Sequence, residues 1–434
     1  MEMLAGLAGG GHPDNLAPIS VNRKQARGTM PGIAELDLPY LAMEDPAFAR
    51  EPYPHFAVAR ARHPWLATSN FGFVVTNYSA VRDLMALEAK QMRMPYDLMV
   101  DQMGARGTAW GRFQEGHMLG KNGADHRRMR DMLAPAFTPR RANMHRPLMR
   151  EVITPMLDEW VPKGGFDFEE FASWFPITVM CKLIGASPEV IPGIRANLET
   201  MGLSVSMDPA LLPQLDEAVQ ELDTFVHGLI AEREASWQEG DEADLLDLLM
   251  DSMASGRMSR RELADLLIFL FGAGFDTSKN ILTLVMWELI RKPDDYARCA
   301  EDPTFCARVI EESMRMHSVT NTNRLVTQEI VYRDVVMPVG TNLWFPWSVV
   351  ARDETVVDDA DSFLPEREQE HPHVGFALGA HMCLGQFIAR AQLAEGLHLI
   401  AQRVKNPRSP GPDGWRPFPG VWGIRGLPIE FDPA

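Results

Sequence analysis

Cysteine is scarce in this sequence, and the copies present are not spaced as zinc or redox motifs. The 434 residues contain four cysteines, and no two of them form a Cys-x-x-Cys pair. This usage argues against both a disulfide framework and a structural zinc site. It favours a reducing, cytoplasmic location.

Positive charge is also in short supply. Lys and Arg total 42 against 59 for Asp and Glu, which gives a formal net charge of −17. Such a balance opposes binding to nucleic acid or to an anionic membrane surface. We therefore predict neither partner and expect any basic docking site to be local.

An uninterrupted membrane-length apolar run is absent as well. The most apolar stretch, residues 263–290, contains Asp265, Asp276 and Lys279, whereas a membrane span needs about 20 mainly apolar residues. The stretch predicts a buried helix, and apolar content of 46% suffices for a large core.

The organisation predicted along the chain is a flexible tail over residues 1–30 followed by a single domain over residues 31–434. The periodicity favours a mainly α protein with small β-sheets at one side, an α+β architecture, and residues 91–122 are expected to be irregular. Helices are predicted at about 53–62, 126–134, 140–160, 168–184, 210–236, 259–292, 303–316 and 386–404. Strands are predicted at 65–68, 73–76, 325–327 and 330–332.

The predicted helix 259–292 has an unfavourable centre. Gly272 and Gly274 each cost about 1 kcal/mol relative to alanine inside a helix, so either a flat group or a second helix must approach the backbone closely. Asp276 and Thr277 follow in an apolar context, where unpaired polar groups are costly. Thr277 can bond a carbonyl one turn earlier and Asp276 can pair with a distant arginine, or the two can deliver protons.

The stretch FALGAHMCLG places Cys383 just before a predicted amphipathic helix. A nucleophilic role lacks a suitable base, because His381 is only two residues away in a loop. A buried structural cysteine is a second interpretation. The third is a thiolate stabilised by a helix N-terminus and bound to a metal, and haem iron is the centre that takes one axial cysteine and leaves its other face free for dioxygen.

Two sets of charged residues accompany these motifs. Glu312 and Arg315 are three residues apart on one helix face, and Arg367 downstream can complete a structural cluster that fixes the segment leading to Cys383. Alone, the pair Glu312 and Arg315 is typical of a solvated helix surface. Basic groups suited to one anionic ligand are spread over the chain, namely His126, Arg130, Arg324 and His381.

The cysteine loop, Phe376-x-x-Gly379-x-His381-x-Cys383-x-Gly385, resembles the haem-binding loop of the cytochrome P450 family. Its five fixed positions make a chance match improbable. The segment 273–277 resembles the family's oxygen-activating helix, and residues 312–315 resemble its ExxR motif. The resemblance covers roughly residues 40 to 430 and implies the cytochrome P450 fold.

The resemblance also implies a cofactor, haem b, with Cys383 as the axial metal ligand and Asp276 and Thr277 as the catalytic proton relay. The structural cluster would be Glu312, Arg315 and Arg367. Haem contacts are implied for His126, Arg130, Ala273, Gly274, Arg324, Phe376, Gly379, His381, Cys383 and Gly385.

The implied reaction is insertion of one oxygen atom of dioxygen into a small-to-medium apolar substrate, a terpenoid, steroid-like, alkyl or aromatic compound. Electrons would come from a ferredoxin and its reductase, docked near Arg127 and Arg128. The alternatives are a non-hydroxylating oxidation or rearrangement and, in another class, a haem-binding protein without turnover. The intact pair Asp276 and Thr277 favours monooxygenation.

The implied substrate pocket includes Phe269, Ala273, Thr320, Val421 and Trp422. The segment 316–323 lacks a proline that many relatives carry there, so its path is not fixed by the resemblance. Methionines between 91 and 118 are either a flexible apolar lid or ordinary core residues: Met92, Met94, Met99, Met103 and Met118.

Overall fold

The protein's structure, a computed structural model, describes residues 30–240, 244–368 and 371–433. The predicted tail therefore lies almost wholly outside the described residues. The chain is 59% helical with small sheets, which confirms the predicted fold class.

The helices lie along the whole described chain. They are α1 (Pro46–Arg50), α2 (Pro52–Arg62), α3 (Tyr78–Met85), α4 (Glu88–Gln91), α5 (Tyr96–Gln102), α6 (Ala109–Gly116), α7 (Gly123–Leu133), α8 (Pro139–Met144), α9 (Arg146–Trp160), α10 (Phe168–Ile184), α11 (Ile191–Met201), α12 (Leu212–Ser236), α13 (Leu245–Ala254), α14 (Arg260–Ile290), α15 (Pro293–Glu301), α16 (Pro303–His317), α17 (Trp347–Val350) and α18 (Gln386–Arg403).

The strands of the described residues are short and form four separate sheets. They are β1 (Leu66–Ser69), β2 (Gly72–Val75), β3 (Met92–Arg93), β4 (Gly165–Asp167), β5 (Thr322–Val326), β6 (Ile330–Tyr332), β7 (Val335–Met337), β8 (Asn342–Phe345), β9 (Val404–Arg408), β10 (Gly414–Trp415), β11 (Ile424–Arg425) and β12 (Pro428–Pro433). The largest sheet has the order β1-β2-β8-β5-β3, and its only parallel pair is β2 with β8 among the described strands.

Helix α14 is the central element of the fold. Its N-cap Ser259 and residue Glu262 form a reciprocal capping box, which satisfies the first free N–H groups. The helix is buried along most of its 31 residues and packs against α10, α11, α12, α16 and α18. This burial, rather than a membrane, accounts for its apolar sequence.

Among the described residues, no helix has both the length and the apolar character required to cross a membrane.

Two predicted segments need correction. The predicted helix 140–160 is two helices, α8 and α9, because Pro147 at the start of α9 has no N–H to continue the first one. Residues 91–122, expected to be irregular, contain β3, α5 and α6. Thr108 caps α6 by accepting from the N–H of Gly111. In the sequence this single capping residue did not outweigh the high Met and Gly content, which favoured an irregular segment.

Other predicted elements agree closely with the structure. Helix α10 has the predicted bounds, set by the cap Asp167 and by Gly185 in the left-handed conformation. Strand β6 also has the predicted bounds, while β1 and β2 differ by one residue from their predictions. The predicted strand 325–327 begins earlier, at Thr322, because its polar start pairs with β8.

Candidate active site

The cysteine loop, residues 376–385, ends at the N-terminus of α18. It is folded back on itself by hydrogen bonds from the N–H of Cys383 to the carbonyl of Phe376, at 2.9 Å, and from Met382 to Gly379, at 3.2 Å. Gly379 has a φ of +79°, and a Cβ there would lie 1.9 Å from Oε2 of Glu88. Both the backbone conformation and the close approach therefore require glycine at this position.

Cys383 differs from the other three cysteines, which are all buried, in being only partly buried. Burial raises the pKa of the Cys383 thiol, while the N–H of Gly385, Arg130 and Arg390 act in the opposite direction. Burial alone raises the pKa of Cys181 to about 12. The pKa of Cys383 nevertheless stays above its ordinary value, so the N–H and the two guanidinium groups only partly offset the cost of burying a thiolate there.

The ring of Phe376, the first residue of the cysteine loop, is clamped between two side chains. The guanidinium of Arg390 lies 4.3 Å from the centre of its ring, and the ring of His373 lies 5.9 Å away. Glu311 holds both neighbours, with contacts of 2.6 Å to Nε of Arg390 and 3.0 Å to Nε2 of His373. These partners fix the ring of Phe376, and its position next to the sulfur of Cys383 stays a prediction.

Two of the four predicted anion donors meet directly. The rings of His126 and His381 are 3.9 Å apart, and Nε2 of His126 and Nδ1 of His381 are buried without a hydrogen-bond partner among the described residues. Burial, reinforced by nearby cationic groups including Arg130 and Arg324, lowers the pKa of His126 to about 4 and of His381 to about 2. Unsatisfied buried nitrogens beside guanidinium groups indicate a place for an anionic ligand.

Arg324 is fully buried and already has an anionic partner. Its Nε contacts Oε1 of Glu88, and its Nη1 donates to Oγ1 of Thr322 at 3.1 Å and to the carbonyl of Asn323 at 2.9 Å. Glu88 was not found by sequence reasoning, since a single glutamate at the start of a short helix belongs to no motif.

The middle of α14 contains an open patch. Ala273 is exposed and Gly272 partly exposed at the centre of a helix that is buried along most of its length. A Cβ at Gly272 would meet only a distant leucine methyl, whereas a Cβ at Gly274 would lie 2.5 Å from Sδ of Met180 in α10. Helix packing therefore explains Gly274, and open space explains Ala273 and Gly272.

Thr277 and Asp276 in α14 make the two structural contacts that the sequence allowed, a local hydrogen bond and an ion pair with a distant arginine. The Thr277 hydroxyl donates to the carbonyl of Ala273 at 2.8 Å. Asp276 is buried and pairs with both terminal nitrogens of Arg416, Nη2 to Oδ2 being 2.9 Å. Lys279 lies 3.5 Å from the same carboxylate. Arg416 was not found from the sequence, because it is an isolated arginine in the C-terminal region.

The predicted structural cluster is formed. Arg315 contacts both oxygens of Glu312 at 2.8 Å, and Nε of Arg367 lies 3.4 Å from Oε1 of Glu312. Arg315 also donates to the carbonyls of Ala351, Ala360 and Ser362 at 2.8–3.1 Å. The cluster thus ties α16 to the chain segment that precedes the cysteine loop.

The predicted pocket residues separate into two groups. Phe269, Thr320 and Val421 are partly exposed, and Phe269 stacks on His117 with ring centres 5.3 Å apart. Trp422 requires correction: it is 1% exposed in an aromatic cluster, and its indole N–H donates to the carbonyl of Ala49 at 2.7 Å. Trp422 is therefore a core side chain.

The methionines of residues 91–118 are mostly core residues too. Met99 is partly exposed, while four are at most 6% exposed: Met92, Met94, Met103 and Met118. The core interpretation explains these four better than a flexible lid does.

Comparisons with known proteins agree with this fold and these motifs. A family model described as Cytochrome P450 matches residues 201–405. Luteothin monooxygenase of Streptomyces thioluteus is 30% identical over 403 residues, covering 92% of this chain and 97% of that protein. A biotin biosynthesis cytochrome P450 of Bacillus subtilis is 25% identical, covering 89% and 97%.

Solved structures show the same fold. CalO2 has a TM-score of 0.81 at 22% identity, covering 91% of this chain and 100% of that one. P450BioI, solved in complex with an acyl carrier protein ligated to hexadec-9Z-enoic acid, has a TM-score of 0.79 at 23% identity, covering 89% and 100%.

The fold, the cysteine loop and these relatives define the class as monooxygenases. The chain belongs to the cytochrome P450 family. Membership implies a haem cofactor, dioxygen as a substrate and a redox partner that supplies electrons.

Proposed function

We propose that the protein is a haem b monooxygenase, formed by one domain over residues 31–434, that hydroxylates or epoxidises a small-to-medium apolar substrate. The observation that carries the proposal is the pair of buried nitrogens without a hydrogen-bond partner on His126 and His381. Both rings are close enough to Arg130 and Arg324 for these positive charges to lower their pKa. These groups suit the two carboxylates of haem, and Cys383 in the same loop suits its iron.

The residues present therefore fit the cofactor. Cys383 would bind the iron and Phe376 would cover the sulfur. His126, Arg130, Arg324 and His381 would bind the propionates, while Gly379, Gly385 and the open α14 patch at Gly272 and Ala273, next to Gly274, would border the ring. When bound, the haem supplies the iron centre that activates dioxygen.

Thr277 and Asp276 are proposed to supply protons. The Thr277 hydroxyl is partly exposed on the same stretch of α14 as Ala273, and it can turn from the Ala273 carbonyl towards the open space beside that residue. Asp276 contacts Arg416 and lies 3.5 Å from Lys279, and we propose that it passes protons towards Thr277 by exchanging these partners. Phe269, Thr320 and Val421 are proposed to contact the substrate.

The proposed electron donor is a ferredoxin reduced by its reductase. Arg127 is exposed and borders an open groove of about 830 Å³, together with Arg128 and Arg257. Arg128 is partly neutralised by Glu262, so Arg127 is the stronger candidate for contact with an acidic partner. Arg127→Glu should slow reduction by a ferredoxin more than Arg333→Glu, a matched reversal on the β6–β7 hairpin, and equal rates would contradict the dock.

The absorption spectrum of the reduced, carbon-monoxide-bound holoenzyme tests the haem assignment. The wild-type protein should show the red-shifted Soret band of a thiolate ligand. Cys383→His should bind haem without that band, and the control Cys181→Ser should retain it. A wild-type Soret band without the red shift would overturn the axial role of Cys383. Spin-state shifts on titration with apolar compounds would then narrow the substrate class.

A further inference from the structure

A buried glutamate that belongs to no family motif lies in the proposed haem site. Glu88, the first residue of α4, has a side chain that is 4% exposed. Its Oε1 contacts Nε of Arg324 on β5, and its Oε2 accepts from the N–H of Ala380 in the cysteine loop at 2.7 Å. One carboxylate thus joins three parts of the chain that are far apart in sequence.

The cysteine loop is shaped around this carboxylate. Gly379 turns with a positive φ directly against it, leaving no space for a Cβ. The next residue, Ala380, supplies the hydrogen bond, and His381, a proposed propionate donor, follows immediately. Moving the carboxylate would therefore move the backbone next to His381.

Arg324 is left with capacity for one more partner. Nε and Nη1 are bonded to Glu88, Thr322 and Asn323, whereas Nη2 has no hydrogen-bond partner among the described residues. Glu88 holds the guanidinium in place and neutralises part of its charge. An anion at Nη2 would thus share Arg324 with a carboxylate that is already there.

We propose that Glu88 is a built-in counter-ion of the haem site, a positioning residue that holds Arg324 and the cysteine loop and keeps the haem reduction potential low. This inference rests on the proposed haem-binding function. Reduction adds one electron to the iron, and a buried negative charge nearby opposes that addition because it is poorly screened by solvent. Because Glu88 also neutralises part of the charge of Arg324, less positive charge is left to compensate a propionate. This effect too lowers the reduction potential.

Glu88→Gln tests the electrostatic part, since it removes the charge with little change of shape. Spectroelectrochemical titration of the substrate-free holoenzyme should give a more positive reduction potential for this variant than for wild type. The control Glu354→Gln removes a charge that pairs with Arg60 and is 64% exposed, and it should leave the potential unchanged. A Glu88→Gln potential equal to that of the control would overturn the inference.

Glu88→Asp tests the positioning part and serves if the glutamine variant does not retain haem. It keeps the charge but withdraws the carboxylate from Arg324 and Ala380. Haem transfer to apomyoglobin should become severalfold faster, with a potential close to wild type. An unchanged transfer rate would refute the positioning role.

The two proposals fail differently. A wild-type protein without the thiolate-type carbon monoxide spectrum would refute the haem-thiolate assignment whatever Glu88 does. A normal spectrum combined with no change in potential in Glu88→Gln would refute only the role of Glu88.

Discussion

The two sides of the proposed haem site are built in different ways. On the cysteine side, the loop is fixed by Glu88 at Ala380 and by the clamp around Phe376, and the Glu312–Arg315 pair holds the chain segment that precedes it. On the helix side, there are fewer supports from other parts of the chain: Ala273 is exposed, Thr277 is partly exposed, and one long-range ion pair holds Asp276.

This difference shows that the loop carrying the proposed iron ligand is held rigidly, whereas the proposed proton-transfer residues can change partners. A ligand-binding loop benefits from several independent supports, because a shift of the ligand atom of about 1 Å is costly. A residue that must move protons needs a hydroxyl or carboxylate that can exchange partners. The predictions below remove supports from each side in turn.

The largest effect is expected for Arg315→Ala on the cysteine side. The change leaves Glu312 without its close partner and the carbonyls of Ala351 and Ala360 without their donor. Breaking a buried ion pair costs about 3–5 kcal/mol, a large part of a typical total stability of about 5–15 kcal/mol. Urea unfolding should show the loss, together with reduced haem content.

Arg298→Ala is the matched control for that experiment, because its partner Glu366 lies at the surface. It should leave the unfolding midpoint close to wild type. An Arg315→Ala protein as stable as this control would show that the cysteine side does not depend on the cluster.

The helix side should lose somewhat less stability when Arg416 is replaced by alanine. Asp276 would stay buried with Lys279 as its remaining cationic neighbour and the amide of Asn280 as a donor, so the loss should be near the lower end of about 3–5 kcal/mol. Adding Asp276→Asn should recover part of it, since the uncompensated charge is removed. Denaturant unfolding of the single and double variants measures this coupling.

Arg425→Ala, on the neighbouring strand β11, is exposed and should leave stability near wild type. Equal losses in the Arg416→Ala and double variants would show that the cost comes from packing rather than from the unpaired carboxylate of Asp276.

Thr277→Ala should change stability little and chemistry strongly. Its hydroxyl bonds a carbonyl of its own helix, and loss of one such bond costs about 0.5–1.5 kcal/mol, partly offset by the better helix propensity of alanine. Electron consumption should continue while product per electron falls and peroxide rises. Thr283→Ala, a buried threonine with the same local bond, should keep the wild-type yield, and an undiminished yield in Thr277→Ala would contradict the proton role.

The sequence predicted the parts of the molecule whose signals are contiguous. The bounds of α10 follow from Asp167 and Gly185, and the Glu312–Arg315 pair follows from its helical spacing. Glu88 and Arg416 were not predicted, because their partners lie 236 and 140 positions away in the chain. Only the tertiary fold brings these charges together.

Side-chain type was likewise insufficient to decide whether an apolar residue lines the substrate pocket or lies in the core. Trp422 and Met118 are apolar, as a substrate pocket requires, but the same property buries them in the core. The split between α8 and α9 was missed since the apolar periodicity continues across Pro147, and the missing N–H matters only once the backbone geometry is considered.

The smallest effect is expected from pH, and it falls on the clamp around Phe376. Burial raises the pKa of Glu311, but the contacts with His373 and Arg390 outweigh it and lower this pKa to about 2. Because the pKa is about 4.3 in an unfolded chain, the stabilisation is fully present above that value and is lost as pH falls through about 2. The side chain is 35% exposed, so solvent screening keeps the contribution small.

Glu311→Gln should therefore flatten the fall in urea stability between about pH 5 and about pH 3, the accessible part of that range, whereas Glu354→Gln should retain the wild-type slope. An unchanged slope in Glu311→Gln would mean that the cysteine side is held without this carboxylate, and the contrast with the helix side would then rest on Glu88 and the Glu312–Arg315 pair alone.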